Sequence, residues 1–153
     1  MINKSFSVFR TIFLLSSLVV CCTASAEAKS IGKDQVNIRE QPNLNSPILY
    51  TAPLGYPIKI KKEETEWIYF LDWLNNSGWV HKPLVSDIDT AVILVEKANI
   101  RSAASVNSSV VGSATQGEIY TILAKEGDWI KLGYYLSGAT VGWVRNDLVF
   151  LGD

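Results

Sequence analysis

The 153-residue sequence predicts an all-β protein, a duplicated barrel or sandwich, behind an N-terminal export signal. Three observations predict it. The chain repeats itself at a spacing of 62 residues. Short apolar segments, several of them alternating with period two, are separated by clusters of Gly, Pro, Asn and Ser. No stretch of the mature part carries a helical period.

The repeat is explicit. Asn37-Ile38-Arg39 falls on Asn99-Ile100-Arg101, Asn45-Ser46 on Asn107-Ser108, Gly55 on Gly117, Ile60 on Ile122, and Trp67-Ile68 on Trp129-Ile130. From 36 to 70, 11 of 35 positions are identical at this offset. The second copy then gains two residues, so Gly78-Trp79-Val80 falls on Gly142-Trp143-Val144 and Leu84-Val85 on Leu148-Val149. Two copies are too few for a solenoid, which needs about three or more. Each unit must therefore close its own core.

Residues 1–28 read as a secretory signal. Lys4 and Arg10 supply positive charge, and 11–22 is a mainly apolar run of 12 residues. That run is short of the about 20 that span a bilayer. Ala24-Ser25-Ala26 and Ala26-Glu27-Ala28 both fit the small-x-small cleavage pattern. An uncleaved anchor and a lipidated Cys21 or Cys22 are the alternatives. The second fits poorly, because Val20 precedes Cys21 and Cys21 precedes Cys22, where a small residue is expected. The expected product is periplasmic or extracellular. It has no cysteine, hence no disulfide, and no integral membrane segment after cleavage.

The first unit is expected over 30–85. The stretch 31–39 holds a first strand and leads into a loop at 40–47, rich in Asn, Pro and Ser. Ile48-Leu49-Tyr50 is a short strand and Pro53-Leu54-Gly55 a turn. Ile58 and Ile60 alternate with Lys59 and Lys61, as on a half-buried strand. After a charged turn, Trp67 opens the next strand, and Asn75-Asn76-Ser77-Gly78 turns into the Trp79 strand, which Pro83 ends. A short acidic linker follows at 86–90, so the units should lie close together. The second unit, 91–153, opens on Ala91-Val92-Ile93-Leu94-Val95. An unbroken apolar run suggests burial on both faces, against the first unit as well as its own.

Alternation also orients the tryptophan strands. Trp67 and Tyr69 share a face, opposite Ile68 and Phe70; Trp129 and Lys131 share a face, opposite Ile130 and Leu132. Lysine rarely buries, so the core face should be Ile and Phe or Leu, with Trp67 and Trp129 toward solvent. Trp67, Tyr69 and Trp73, and in the second unit Trp129, Tyr134 and Tyr135, are the candidate ligand-binding residues. Aromatic rings with a polar edge suit sugar faces and peptides. Covering a barrel end or filling the seam between units would use the same residues. Asn37, Arg39, Gly78, Trp79 and their counterparts Asn99, Arg101, Gly142 and Trp143 are read as structural. Gly permits close backbone approach, and Arg can lie on an aromatic face.

This ordered pattern resembles bacterial SH3-like (SH3b) domains. It comprises Asn-Ile-Arg, a loop, a Gly before an alternating strand, Trp-Ile-x-Phe or Leu, Gly-Trp-Val and a closing Leu-Val. It spans 37–85 and 99–149, nearly the whole mature chain. The resemblance implies two tandem small SH3-like β-barrels of five strands. Each would have a one-turn helix before its last strand, near Lys82-Pro83-Leu84 and Asn146-Asp147-Leu148. It also implies a non-catalytic module of an exported protein, binding peptidoglycan, its peptide stems or another envelope component. Eukaryotic relatives use a Pro and a Tyr after the last strand to bind proline-rich peptides. Here Arg145 and Leu148, and His81 and Leu84, stand at those places, so such peptides are not the expected ligand.

The residues point the same way. A net charge of −1 lacks the basic footprint of a nucleic-acid binder. The mature part has no Cys and a single His, His81, with Arg145 at its counterpart; nucleophilic pairs and metal sites need more. His81 is expected at the surface, beginning a turn, and Glu63, Glu64 and Glu66 form a solvated acidic turn. No enzyme activity, cofactor or metal is expected. The leading function is a non-catalytic binding module of the bacterial cell envelope, with peptidoglycan or its peptide stems as ligand. The alternative is a protein–protein adaptor in the periplasm or outside the cell, including a regulatory partner of a wall hydrolase. The expected partner is thus a cell-wall polymer or an exported protein.

Overall fold

The short alternating segments become strands of two sheets with the same connectivity, described by a computed structural model over residues 29–152. The expected signal, with Cys21 and Cys22, lies outside the described residues. The first sheet holds β1 (Lys29–Ile31), β2 (Val36–Arg39), β3 (Ile48–Ala52), β4 (Pro57–Glu63), β5 (Trp67–Leu71), β6 (Ser77–His81) and β7 (Val85–Ser86). The second holds β8 (Thr90–Ile93), β9 (Lys97–Arg101), β10 (Val110–Thr115), β11 (Ile119–Glu126), β12 (Trp129–Gly133), β13 (Thr140–Arg145) and β14 (Val149–Leu151). Their spatial orders, β3-β2-β6-β5-β4-β1-β7 and β10-β9-β13-β12-β11-β8-β14, match position for position. Single 3-10 turns at Lys82–Leu84 and Asn146–Leu148 precede the last strands, where the resemblance places them.

Each sheet has seven strands where the resemblance implies five. The stretch 31–39 is not one strand. A turn intervenes, with Gln35 at φ 51, so β1 pairs with β4 while β2 pairs with β3 and β6. The residues after the 3-10 turn form the last strand, β7, against β1.

Each unit closes its own core. Ile31, Ile38, Ile58, Ile68, Phe70 and Val80 pack in the first. Ile93, Ile100, Ile130, Leu132 and Val144 pack in the second. Burial of such a side chain contributes about 1.5–3 kcal/mol, so the inward faces of β5 and β12 anchor their sheets as the residue types predict. The Gly of Gly-Trp-Val lets β6 lie on β2. A Cβ at Gly78 would stand 2.5 Å from Ile38 Cγ2, and one at Gly142 would stand 2.5 Å from Ile100 Cγ2. Gly is required there for close approach.

The units are packed together. Ala91 and Ile93 of β8 point into the second core, so Thr90 and Val92 point the other way. Yet both are buried, with β8 beside β4 of the first unit, which is the double burial the apolar run predicts. Ile119 packs on the first core, and a Cβ on Gly55 would meet the Tyr135 ring at 2.9 Å. Ser30 Oγ donates to Ile88 O at 2.7 Å, and Lys29 pairs with Asp87 of the acidic stretch at 2.7 Å. Among the described residues no helix is long and apolar enough to cross a membrane.

Candidate functional site

β5 and β6 are in register so that Trp67 lies opposite His81. Their rings stand 5.3 Å apart at 54°. Three segments wall off the space beside them: the turn between β1 and β2, loop 40–47 through Leu44, and the 3-10 turn through Leu84. The result is a cavity of about 310 Å³, with Asn37 and Arg39 on its β2 side. Arg39 Nη1 donates to Ser46 O at 2.8 Å, and Gln41 N donates to Ser46 Oγ at 2.8 Å, which fastens the loop over the cavity.

The expectation for Trp67 is corrected here. It lies on the face opposite Ile68, as alternation requires, but is only 8% exposed. The outer face of β5 is largely covered at this point because His81 and the neighbouring loop and turns crowd around the indole, leaving it as part of the cavity wall. His81 is likewise no mere surface residue; it is half-buried and forms one wall.

The second unit holds the same cavity. Asn99, Arg101, Val106, Trp129, Arg145 and Leu148 stand where the first unit has Asn37, Arg39, Leu44, Trp67, His81 and Leu84, and enclose about 190 Å³. Arg101 Nη1 donates to Ser108 O at 2.7 Å, repeating the Arg39 contact. Trp129 pairs with Arg145 across the strands. Arg145 in turn binds Asp147 twice, Nε to Oδ1 at 3.0 Å and Nη2 to Oδ2 at 3.2 Å. That pairing holds the Asp147 carboxyl below its ordinary range.

The remaining candidates do not line either cavity. Tyr69 donates its hydroxyl to Ser77 Oγ at 2.9 Å and lies 5.2 Å from the Trp79 ring. Trp73 packs against the first core. Tyr134 is exposed, its ring 6.2 Å from Tyr120, while Tyr135 faces Gly55 between the units. Trp79 and Trp143 sit under cations on the outer face, Lys62 at 5.5 Å and Lys131 at 5.9 Å. These lysines are not equivalent in the repeat, so two different strands supply the same cover. Asn37, Asn99, Arg39 and Arg101, read as structural, line the cavities as well; the two arginines do both jobs.

Sequence reasoning missed Leu44, Val106 and Asp72. Leu44 and Val106 could have been found, since both are apolar residues in otherwise polar loops at the same repeat position. Asp72 is 1% exposed at the end of β5. Its Oδ2 accepts from Tyr56 at 2.8 Å, Tyr50 at 3.1 Å and Asn76 Nδ2 at 3.2 Å; its Oδ1 accepts from the backbone of Leu74 and Asn76 at 2.9 and 2.8 Å. Burial, and then the Asp72 carboxylate, push both phenols far above the usual tyrosine range.

The bacterial SH3 domain profile matches residues 34–86 and 96–150. Among curated proteins, the putative N-acetylmuramoyl-L-alanine amidase YrvJ of Bacillus subtilis (strain 168) is 24% identical over 165 aligned positions, covering 98% of this chain and 31% of the amidase. The chain thus spans about a third of that relative's length. Among solved structures, NlpC2 from Trichomonas vaginalis aligns with 81% of this chain and 47% of its own at 18% identity and a TM-score of 0.36. An NlpC/P60 family protein from Bacillus cereus ATCC 10987 aligns with 81% of this chain and 56% of its own at 9% identity and a TM-score of 0.36. With two successive profile matches covering more than half of its length, each on one seven-stranded sheet, the chain belongs to the bacterial SH3 domain family.

Proposed function

We propose that this chain is a non-catalytic, exported binding module of the bacterial cell envelope, taking peptidoglycan or its peptide stems in the Trp67 and Trp129 cavities. One observation carries the reading: the same aromatic-floored cavity recurs at the same place in both units, on equivalent residues. A core alone would hold the fold; an open cavity with an indole floor and amide-bearing rim suits a ligand. Indole faces suit sugar rings and aliphatic peptide side chains, and Asn37 and Asn99 offer donors and acceptors beside them. The relative's name, an amidase, supports a wall setting for the part that aligns. A non-catalytic role is supported by His81, whose ring packs at a tilt against Trp67, and by Asp72, whose oxygens are both engaged.

The test is co-sedimentation of the chain from Lys29 onward with protein-free wall sacculi, beside folded Trp67→Ala and Trp129→Ala variants. Sedimentation that one variant abolishes is expected. No sedimentation at low and moderate salt would sink the reading. A second reading, an adaptor for another exported protein, draws on the outermost strands. β3 and β10 pair on one side only and expose Ile48, Leu49, Val110 and Val111, a form suited to strand addition. Capture of one protein partner without sacculi would favour it.

A further inference from the structure

We infer that the second cavity is an anion site, built for the C-terminal carboxylate of an extended peptide with an aliphatic last residue, whereas the first is not. This rests on the binding role proposed above and assigns its two cavities different chemistry. The comparison of their linings carries it. At equivalent places the first cavity has Gln35 and His81, and the second has Lys97 and Arg145. Both differences place a basic side chain, lysine or arginine, where the first cavity has an amide or an imidazole. Arg101, the counterpart of Arg39, adds a third cation. The first lining has two cations, Lys33 and Arg39, offset by the carboxylate of Asp34, while the second has three cations and no carboxylate.

The cations are held for use. Arg101 spends Nη1 on Ser108 O, and Arg145 spends Nε and Nη2 on Asp147; Arg101 keeps Nη2 and Nε outside that bond, and Arg145 keeps Nη1. Each guanidinium is therefore oriented by one contact and can donate through another. Asp147 lies outside the lining, with its side chain 57% exposed, and an exposed, solvent-screened pair of this kind holds its partner only weakly. A ligand carboxylate can share or displace it. Beside the cations and Asn99, Trp129, Val106 and Leu148 give the 190 Å³ cavity an apolar wall. That fits an alkyl side chain beside a carboxylate better than it fits a polyol phosphate, which brings charge without apolar bulk.

The experiment follows the indole N–H signals of the chain from Lys29 onward by nuclear magnetic resonance, with Trp129 and Trp67 assigned through their Phe variants. The probes are acetyl-D-alanyl-D-alanine, the same peptide with its C-terminus amidated, and glycerol phosphate. The free acid is expected to shift the Trp129 signal, with affinity falling about tenfold on amidation or in Lys97→Gln and Arg145→His. Added salt should weaken it further. The double variant Gln35→Lys, His81→Arg should bring the same response to Trp67. Equal response to acid and amide, or to glycerol phosphate and the free acid, would overturn the carboxylate assignment. A silent Trp129 would overturn it too. If sacculi still sediment the chain in that case, only this inference fails; if they do not, the wall-binding role fails with it.

Discussion

The turn after β5 and the turn after β12 occupy equivalent places and are both closed by backbone hydrogen bonds, but their side chains do different work. The first is wound around buried Asp72, whose two oxygens accept from two phenols, one side-chain amide and two backbone N–H groups. The second is longer by two residues, and Tyr134 stands at the repeat position of Asp72. Gly112 and Glu118 stand where Tyr50 and Tyr56 would be, so the network has no second copy. That turn is held by its backbone, Tyr134 N to Ala139 O at 3.0 Å and Gly138 N to Tyr134 O at 2.8 Å. It sends Tyr135 across to Gly55 of the other unit. One copy uses this turn to stabilise itself, and the other uses it to join the two.

Breaking the Asp72 network should have the largest effect. Asp72→Ala strands two phenols and two backbone donors, and should lower the stability of the chain by about 3 kcal/mol in urea unfolding. Tyr134→Ala, at the matching position, should cost under about 1 kcal/mol. Equal losses would mean that the second turn holds an equivalent anchor.

The seam can be isolated by two matched glycines. Gly55 and Gly117 are repeat partners with φ +77 and +85, so Ala strains both backbones alike, by about 1–2 kcal/mol. Only at Gly55 would the new Cβ meet a neighbour, Tyr135 at 2.9 Å, whereas Gly117 has nothing within 4 Å. Gly55→Ala should therefore cost about 1–2 kcal/mol more than Gly117→Ala. Pairing each with Tyr135→Ala should remove the excess at Gly55 alone.

Smaller effects sharpen the chemistry of the network. Tyr56→Phe removes the shorter phenol contact and should cost about 1–2 kcal/mol, with Tyr50→Phe costing less. The pH dependence follows from the same two groups. Their folded-state pKa values lie above the unfolded value of about 10. Their contribution is thus fully present below about pH 10 and is lost as pH rises toward the folded values. Unfolding midpoints of the wild type and the Tyr50→Phe, Tyr56→Phe double variant should converge above about pH 10. A gap that stays constant would show that the phenols do not ionise with unfolding.

Much of the fold was legible in the residues. The inward faces of β5 and β12 and the doubly buried β8 follow from alternation and an unbroken apolar run, and the two 3-10 turns from the family resemblance. The break at Gln35 was not legible, because a non-glycine residue with positive φ leaves no compositional mark. The cavities were half legible. Trp67 and Trp129 stood out as large rings on a face that lysine marked as wet. The burial of Trp67 and the half-burial of Trp129 depend on loop 40–47 and its counterpart folding back through Arg39 and Arg101, a contact seven residues away that no periodicity encodes. Asp72 was invisible for a related reason: its partners come from β3, the residue just before β4 and the following turn.

Gly152 is pressed against the first unit, its Cβ position 2.5 Å from Ile58 O and 3.2 Å from Lys29 O. Lys29 and Gly152 are thus neighbours, and the path through both barrels returns to where it starts. A load applied at these two residues would act across that short contact, leaving the linker and both cavities outside the line of force. Tethered there, the pair of barrels would hang as a bead from one point of attachment, free to turn either cavity outward.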